Sequence, residues 1–476
     1  MSDPHGFLRI PYVHEPKRPP AQRVGDHRTI FELMPAGQIG PQAQRCMNCG
    51  IPFCHDACPV GNRIPRWNEL VATDRWAEAL DQLHATNNFP EFTGYICPAP
   101  CQAACVLAIN DDPITIKQIE LEIIERGWRE GWVTPRPPTR RTGQQVAVVG
   151  SGPAGMAAAA QLNSLGHTVT VYERSEAIGG LMRLGVPDFK LEKWVIDRRV
   201  EVLQQEGVRF RCDTEVSRDI GIDTVRDQHD AVVLTIGALR ERPLEVPGSD
   251  LRGVYPAMHY LTQHNRLIAH ARPDTDPAEP TISAAGKHVA VIGGGDTAAD
   301  CIATALREHA AEVRQLDRYP QPRGDHTREV TDWPAMPRRM PTTYALEEGG
   351  TRHFAETITA LTGVHGQVKL LHGTTVGGPP HFAAQPDEDF TRPIDLVLVA
   401  IGFLGPETAL IDALELALDD HGNIRGQDHA TSAPGVFTAG DARLGASLVV
   451  TAIDDGRRCA TAVDRYLATD AHTPRP

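Results

Sequence analysis

The chain has 476 residues, 41 % apolar and 23 % charged, the balance of several folded domains rather than of a disordered or fibrous chain. Its 47 basic and 61 acidic side chains give a formal charge of −14, which argues against a nucleic-acid binder. No uninterrupted apolar run reaches the ~20 residues that span a bilayer, and Met1-Ser2-Asp3-Pro4-His5 lacks a secretory pattern, so a cytoplasmic protein without membrane association is expected.

Residues 1 to about 40 are rich in proline (Pro11, Pro16, Pro19, Pro20, Pro35) and weakly periodic, and are expected to drape over the surface. Seven of the ten cysteines lie between 46 and 105, among helical patterns running from Trp67 through Leu83 and from Ile114 to Trp128. A small helical domain over residues 1–142 follows, ending in the linker Thr134-Pro-Arg-Pro-Pro-Thr-Arg-Arg-Thr-Gly143. Clustered cysteines in an unsecreted chain read as metal ligands. The spacing is Cys46-x2-Cys49-x4-Cys54-x3-Cys58-Pro59, then Cys97-x3-Cys101-x3-Cys105. Thiolates at this density suit iron–sulfur clusters, with zinc as the rival. His55, inside the run, reads as a surface or capping residue.

Two βαβ units come next. Val146-Ala-Val-Val runs into Gly150-x-Gly152-Pro153-Ala154-Gly155, and the next strand, Thr168 to Tyr172, ends at Glu173. Val289-Ala-Val-Ile runs into Gly293-Gly294-Gly295-Asp296-Thr297-Ala298, and its following strand, Glu312 to Leu316, ends at Asp317. A strand, a glycine turn, a helix N-terminus and an acidic residue after the next strand are the parts that hold a dinucleotide's pyrophosphate and ribose. At the second site Asp317 favours NADH by accepting ribose hydroxyls. Arg318, with Arg314 and Arg323 near, favours NADPH by offering charge to a 2′-phosphate. The matching runs Asp230-Ala-Val-Val-Leu-Thr-Ile-Gly237 and Asp395-Leu-Val-Leu-Val-Ala-Ile-Gly402 would each close a domain. Gly435-Val-Phe-Thr-Ala-Gly440-Asp441 reads as a strand whose aspartate meets a flavin's ribityl chain, and Ser447 to Ile453 as a helix start beneath the ring. No dithiol stands near Gly179-Gly180-Leu181-Met182-Arg183, so reduction does not pass to a disulfide within this chain.

These stretches resemble the small (β) subunits of bacterial glutamate synthase and, more widely, the iron–sulfur flavin reductases related to the N-terminal half of dihydropyrimidine dehydrogenase. The most specific are Cys46-Met-Asn-Cys-Gly-Ile-Pro-Phe-Cys-His-Asp-Ala-Cys-Pro59, Leu83-His-Ala-Thr-Asn-Asn-Phe-Pro-Glu-Phe-Thr-Gly94, Cys97-Pro-Ala-Pro-Cys-Gln-Ala-Ala-Cys105, Gly185-Val-Pro-Asp-Phe-Lys190 and Gly293-Gly-Gly-Asp-Thr297. The resemblance implies an α/β fold: two Rossmann-like dinucleotide-binding domains of the glutathione-reductase kind behind the helical iron–sulfur domain. FAD would occupy residues 143–253 and 404–476, at Gly150 to Gly155, Glu173, Arg174, Gly180, Leu181, Gly440, Asp441, Leu448 and Val449. NAD(P)H would occupy residues 254–403, at Gly293 to Thr297, Asp317 and Arg318. Two 4Fe–4S clusters are implied: one on Cys46, Cys49, Cys54 and Cys105, the other on Cys58, Cys97, Cys101 and Glu120, with Gln118 as the alternative to Glu120. No catalytic side chain is required for hydride transfer. The implied role is electron input to a large (α) subunit that makes L-glutamate from 2-oxoglutarate and L-glutamine; the alternatives are a reductase serving a ferredoxin or a pyrimidine reductase, and a non-catalytic, zinc-stapled nucleotide-binding scaffold.

Overall fold

A computed structural model describes residues 5–270, 281–321, 333–335 and 343–470. The fold is α/β, with two parallel sheets behind a helical N-terminal region.

The N-terminal region packs the helices Ile64–Ala72, Trp76–His84, Pro90–Ile96 and Ile116–Arg129 around a core that includes Trp67, Leu80, Phe92 and Ile123. The single helical pattern expected from Trp67 to Leu83 is two helices. The chain turns at Thr73–Arg75, where Asp74 takes a left-handed conformation (φ 59°) and its carboxylate accepts from Trp76 Nε1 at 2.5 Å. The first forty residues do more than drape. Ile30 and Arg23 are fully buried, Ile30 in the core of the second nucleotide domain, and Met34 and Ile39 are buried in the core of the helical region. Residues 134–144 carry no helix or strand.

The first sheet has the order Val436–Thr438, Ala231–Leu234, Gln145–Val149, Thr168–Tyr172, Arg209–Arg211, every described pair parallel. The second has the order Val254–Pro256, Leu396–Val399, His288–Ile292, Glu312–Asp317, Thr351–Phe354, again parallel. In both, the strand entering the glycine turn is central and its apolar run is covered on both faces, which is why it reads as continuous rather than alternating. Chain segments cross between the sheets at an antiparallel pair, Arg240–Glu241 with Phe403–Gly405. The last helix, Val449–Asp470, packs lengthwise on Pro153–Ser164 of the first sheet's layer. A three-stranded antiparallel sheet of Glu356–Val364, Gln367–Val376 and Ala384–Pro393 is added to the second domain.

Candidate functional site

The cysteines fall into two pockets. Cys46, Cys49, Cys54 and Cys105 line one, with Met47, Phe53 and Asn68. Cys58, Cys97 and Cys101 line the other, with Glu120, Asn62, Thr93 and Lys117. Burial pushes the thiols of Cys54 and Cys97 up to about 12 and that of Cys58 to about 11, so they stay protonated until a cation draws the proton away. Among the described residues no three Cys, His, Asp or Glu side chains converge on a single ion. A multi-iron cluster needs no such convergence, because its thiolates bind separate irons. The donor sets fit clusters in two further ways. Asn68 is fully buried beside the four-cysteine pocket, with its side chain against Cys46, where its amide favours the thiolate. Glu120 is held over the three-cysteine pocket by Thr93 Oγ1 (2.6 Å) and Asn87 Nδ2 (3.0 Å), both donating to Oε1. Burial raises its carboxyl to about 7 against those hydrogen bonds. Gln118 points elsewhere, donating to Glu15 Oε1 and to the Glu32 carbonyl, each at 3.2 Å. Trp333 Nε1 donates to the Cys105 carbonyl at 3.2 Å, and its ring lies 4.7 Å from that of Phe53.

A cavity of about 1230 Å³ runs between the two parallel sheets. Gly150, Gly152, Pro153, Ala154, Glu173, Arg174, Gly180, Leu181, Asp441, Leu448 and Val449 all line it. Gly155 and Gly440 stand behind that surface. A Cβ on Gly155 would lie 2.1 Å from the Gly150 carbonyl oxygen, so the helix can sit this close to the turn only without a side chain. Gly440 N–H donates to Asp455 Oδ2 at 2.8 Å. Gly152 is different: a Cβ there would meet nothing within 4 Å, because it faces the cavity at the helix N-terminus. Glu173 accepts from Ser151 N–H (3.1 Å), Ser151 Oγ (2.5 Å) and Ser175 N–H (2.8 Å), which fixes a buried carboxylate at the cavity wall. Burial raises Asp441 to about 6, and Ser447 Oγ donates to it at 2.6 Å. The cavity thus has a backbone cradle for a pyrophosphate and acidic groups for sugar hydroxyls, which fits FAD.

The same cavity reaches Asp296 and Thr297, at the start of the helix Asp296–Arg307. Gly293, Gly294 and Gly295 form the turn before that helix. Asp317 lies beneath it: a Cβ on Gly294 would collide with the Asp317 carboxylate at 2.3 Å. Asp317 is also ion-paired with Arg352 Nη2 at 2.7 Å, both side chains 3 % exposed. Arg352 carried no signal in the sequence, because it stands 35 residues away on the edge strand. Arg318 is exposed and lies against the rings of Tyr319 and Phe382. Arg314 pairs with Glu312 at 2.6 Å, and Arg323 lies outside the described residues. Toward the helical domain the cavity wall includes Ile96 and Pro98, the neighbours of Cys97. The first turn of the C-terminal helix stands between the spaces: Val449 and Ala452 line the cavity, while Val450 lines the three-cysteine pocket. No cysteine lines the cavity among the described residues.

Residues 144–456 match the family model for pyridine nucleotide-disulphide oxidoreductases, and residues 23–132 that for dihydropyrimidine dehydrogenase domain II, 4Fe-4S cluster. The glutamate synthase [NADPH] small chain of Mycobacterium tuberculosis is 49 % identical over 100 % of this chain and 98 % of its own length. The chain belongs to the glutamate synthase small-chain family. That of Bacillus subtilis is 41 % identical over the whole of both chains. Glutamate synthase [NADH] of Schizosaccharomyces pombe is 39 % identical over 96 % of this chain, which spans 22 % of that protein. Mycobacterium tuberculosis FprA in complex with NADPH shares the fold, with TM-score 0.55 at 19 % identity over 72 % of this chain and 88 % of that one. The chain is an NAD(P)H-dependent oxidoreductase carrying the flavoprotein fold and the 4Fe–4S domain of this family.

Proposed function

We propose that the chain takes electrons from NADPH at an FAD and delivers them, through two 4Fe–4S clusters, to a large subunit that forms L-glutamate from 2-oxoglutarate and L-glutamine. The observation that carries this reading is continuity. One cavity runs from the first glycine turn to Asp296 and Thr297, the helix start that follows the second, and a single helical turn separates it from the pocket of Cys58, Cys97, Cys101 and Glu120. When bound, the flavin would supply the conversion of a hydride into single electrons, and the clusters would supply their passage onward. The chain's own residues bind and orient. Gly150 to Gly155 and Glu173 would hold the flavin's diphosphate and ribose, and Gly293 to Thr297 the nicotinamide dinucleotide. Cys46, Cys49, Cys54 and Cys105 would hold the outer cluster. Glu120, fixed by Thr93 and Asn87, would complete the inner one.

NADPH is favoured over NADH because Arg352 compensates Asp317, so the acid beneath the turn no longer opposes a 2′-phosphate. Asp317→Ala removes the acid and keeps Arg352, and is expected to raise the NADPH/NADH ratio of kcat/KM. Arg352→Gln removes the cation and keeps the acid, and is expected to lower it. A ratio that moves in neither variant assigns the choice elsewhere.

The decisive experiment is anaerobic purification with iron, acid-labile sulfide and flavin analysis, followed by mixing with the family's large subunit. Glutamine-dependent glutamate formation driven by NADPH is expected. Material with flavin but no iron or sulfide would overturn the reading.

A further inference from the structure

Beneath the second glycine turn lies a charge problem. The helix Asp296–Arg307 has to present its N-terminus to an anionic diphosphate, yet Asp296 opens it and Asp300 follows one turn later. Asp296 is exposed at the cavity wall and Asp300 is buried. Two carboxylates there offset the attraction that a helix N-terminus offers an anion. The compensating cation comes from the other nucleotide domain. Lys190 Nζ lies 3.1 Å from Asp300 Oδ1, the two side chains 13 % and 7 % exposed, and it is within electrostatic reach of Asp296. The Tyr344 hydroxyl donates to the same Asp300 oxygen, and Lys190 Nζ stands 5.5 Å from the Tyr344 ring centre. Lys190 also lines the cavity itself. Its position is fixed by its neighbour: Phe189 is fully buried in the core of the second domain, under Arg307, and its carbonyl accepts from Ile30 N–H at 2.8 Å.

We propose that Lys190 is a positioning residue for the nicotinamide dinucleotide: contributed across the domain boundary, it cancels the Asp296–Asp300 charge so that the helix accepts the diphosphate. This rests on the reading that Gly293 to Thr297 hold that nucleotide. The cation reaches Asp300 only with residues 186–190 seated in the second domain, so nucleotide affinity depends on how the two domains are docked.

The test measures binding of NADP+ and NAD+ to the flavin- and cluster-loaded protein by difference absorbance, alongside steady-state KM and kcat. Lys190→Met is expected to weaken binding about tenfold, with the loss in KM rather than kcat. Lys190→Arg is expected to restore it. The double variant Lys190→Met/Asp300→Asn removes both charges and is expected to return to within about threefold of the parent. Should Lys190→Met fail to load its cofactors, Asp300→Asn alone decides, with tighter binding expected. Unchanged affinity in Lys190→Met, a double variant no better than the single, or Asp300→Asn that binds no more tightly would each overturn the proposal, the second by reducing the pair to a domain staple. A parent protein that binds neither nucleotide would instead overturn the assignment of the glycine turn.

Discussion

At the scale of single residues, two glycines three positions apart ask for opposite outcomes. Gly152 faces open cavity, where a Cβ would meet no protein atom within 4 Å, so the methyl groups of a valine would enter the path of a diphosphate. Gly152→Val is expected to purify as folded protein with its flavin content at or near zero, and full flavin occupancy would refute the site. Gly155→Val drives a side chain into the Gly150 carbonyl and is expected to fail in folding itself. Cys101→Ala removes one thiolate from the three-cysteine pocket. Roughly half of the iron should be lost while flavin remains, and unchanged iron would refute the ligand set. These residues were legible in the sequence because glycine turns and cysteine runs are local patterns. Their supports were not. Asn68 and Arg352 are ordinary residues until the fold carries them to a pocket, Asn87 and Thr93 lie in a recognisable stretch that does not give their role, and a pairing such as Arg352 with Asp317 leaves no mark in spacing.

At the scale of elements, the helix Trp76–His84 carries a pH-sensitive end. His84 is half-buried, and its Nε2 is shut off from water with no hydrogen-bond partner. Burial lowers its pKa to about 3, with Arg199 and Arg136 adding to the effect. The folded value lies below the unfolded value of ~6.5, so the unfolded chain takes up the extra proton as pH falls. The stability contribution is complete above pH ~6.5 and is lost below it, about 1.4 kcal/mol at pH 5.5. His84→Leu should flatten the fall in urea midpoint between pH 7.5 and 5.5, and a fall as steep as the parent's would exclude His84 as its source. Elements show the same division between readable and unreadable. The buried strands Val146–Val149 and Val289–Ile292 announce themselves as apolar runs ahead of glycine. The antiparallel sheet over 356–393 does not, because only a few of its residues, Ile358, Leu361, Val368 and Leu371 among them, face a core, and apolar residues such as Val364 and Leu370 stand exposed, which breaks the alternation. The break at Thr73–Arg75 is hidden for another reason: the apolar spacing continues across a left-handed Asp74 that no helical pattern records.

At the scale of the molecule, the domains are held together by the segment that composition marked as mere covering. Lys117 pairs with Glu15 at 3.5 Å and Gln118 binds the Glu32 carbonyl, which ties this segment to the cysteine domain. Ile30 lies in the second domain's core, Thr29 N–H donates to Glu192 at 3.0 Å, and Lys17 pairs with Glu347 at 2.7 Å. At its centre Arg23 Nε and Arg307 Nη1 flank Glu348, at 2.7 and 2.5 Å, with all three side chains at most 1 % exposed. Arg307 also donates to the Asp26 carbonyl at 2.9 Å. Glu348 therefore serves two buried guanidinium groups, and its removal takes the carboxylate from Arg307 and leaves Arg23 with Glu347, at 2.9 Å from its Nη2. Breaking a buried pair in this way costs about 3–5 kcal/mol. Glu348→Ala is expected to lower the melting point of the nucleotide-binding domain by roughly 6–20 °C, taking ~2–4 °C per kcal/mol for a domain of that size. Limited proteolysis should cut residues 17–32 faster in the variant, because the strap loses its central anchor while the flavin and cysteine sites are untouched. A melting point within about 1 °C of the parent's, with unchanged cleavage, would mean that the ion pairs merely follow a docking fixed by Ile30 and Phe189.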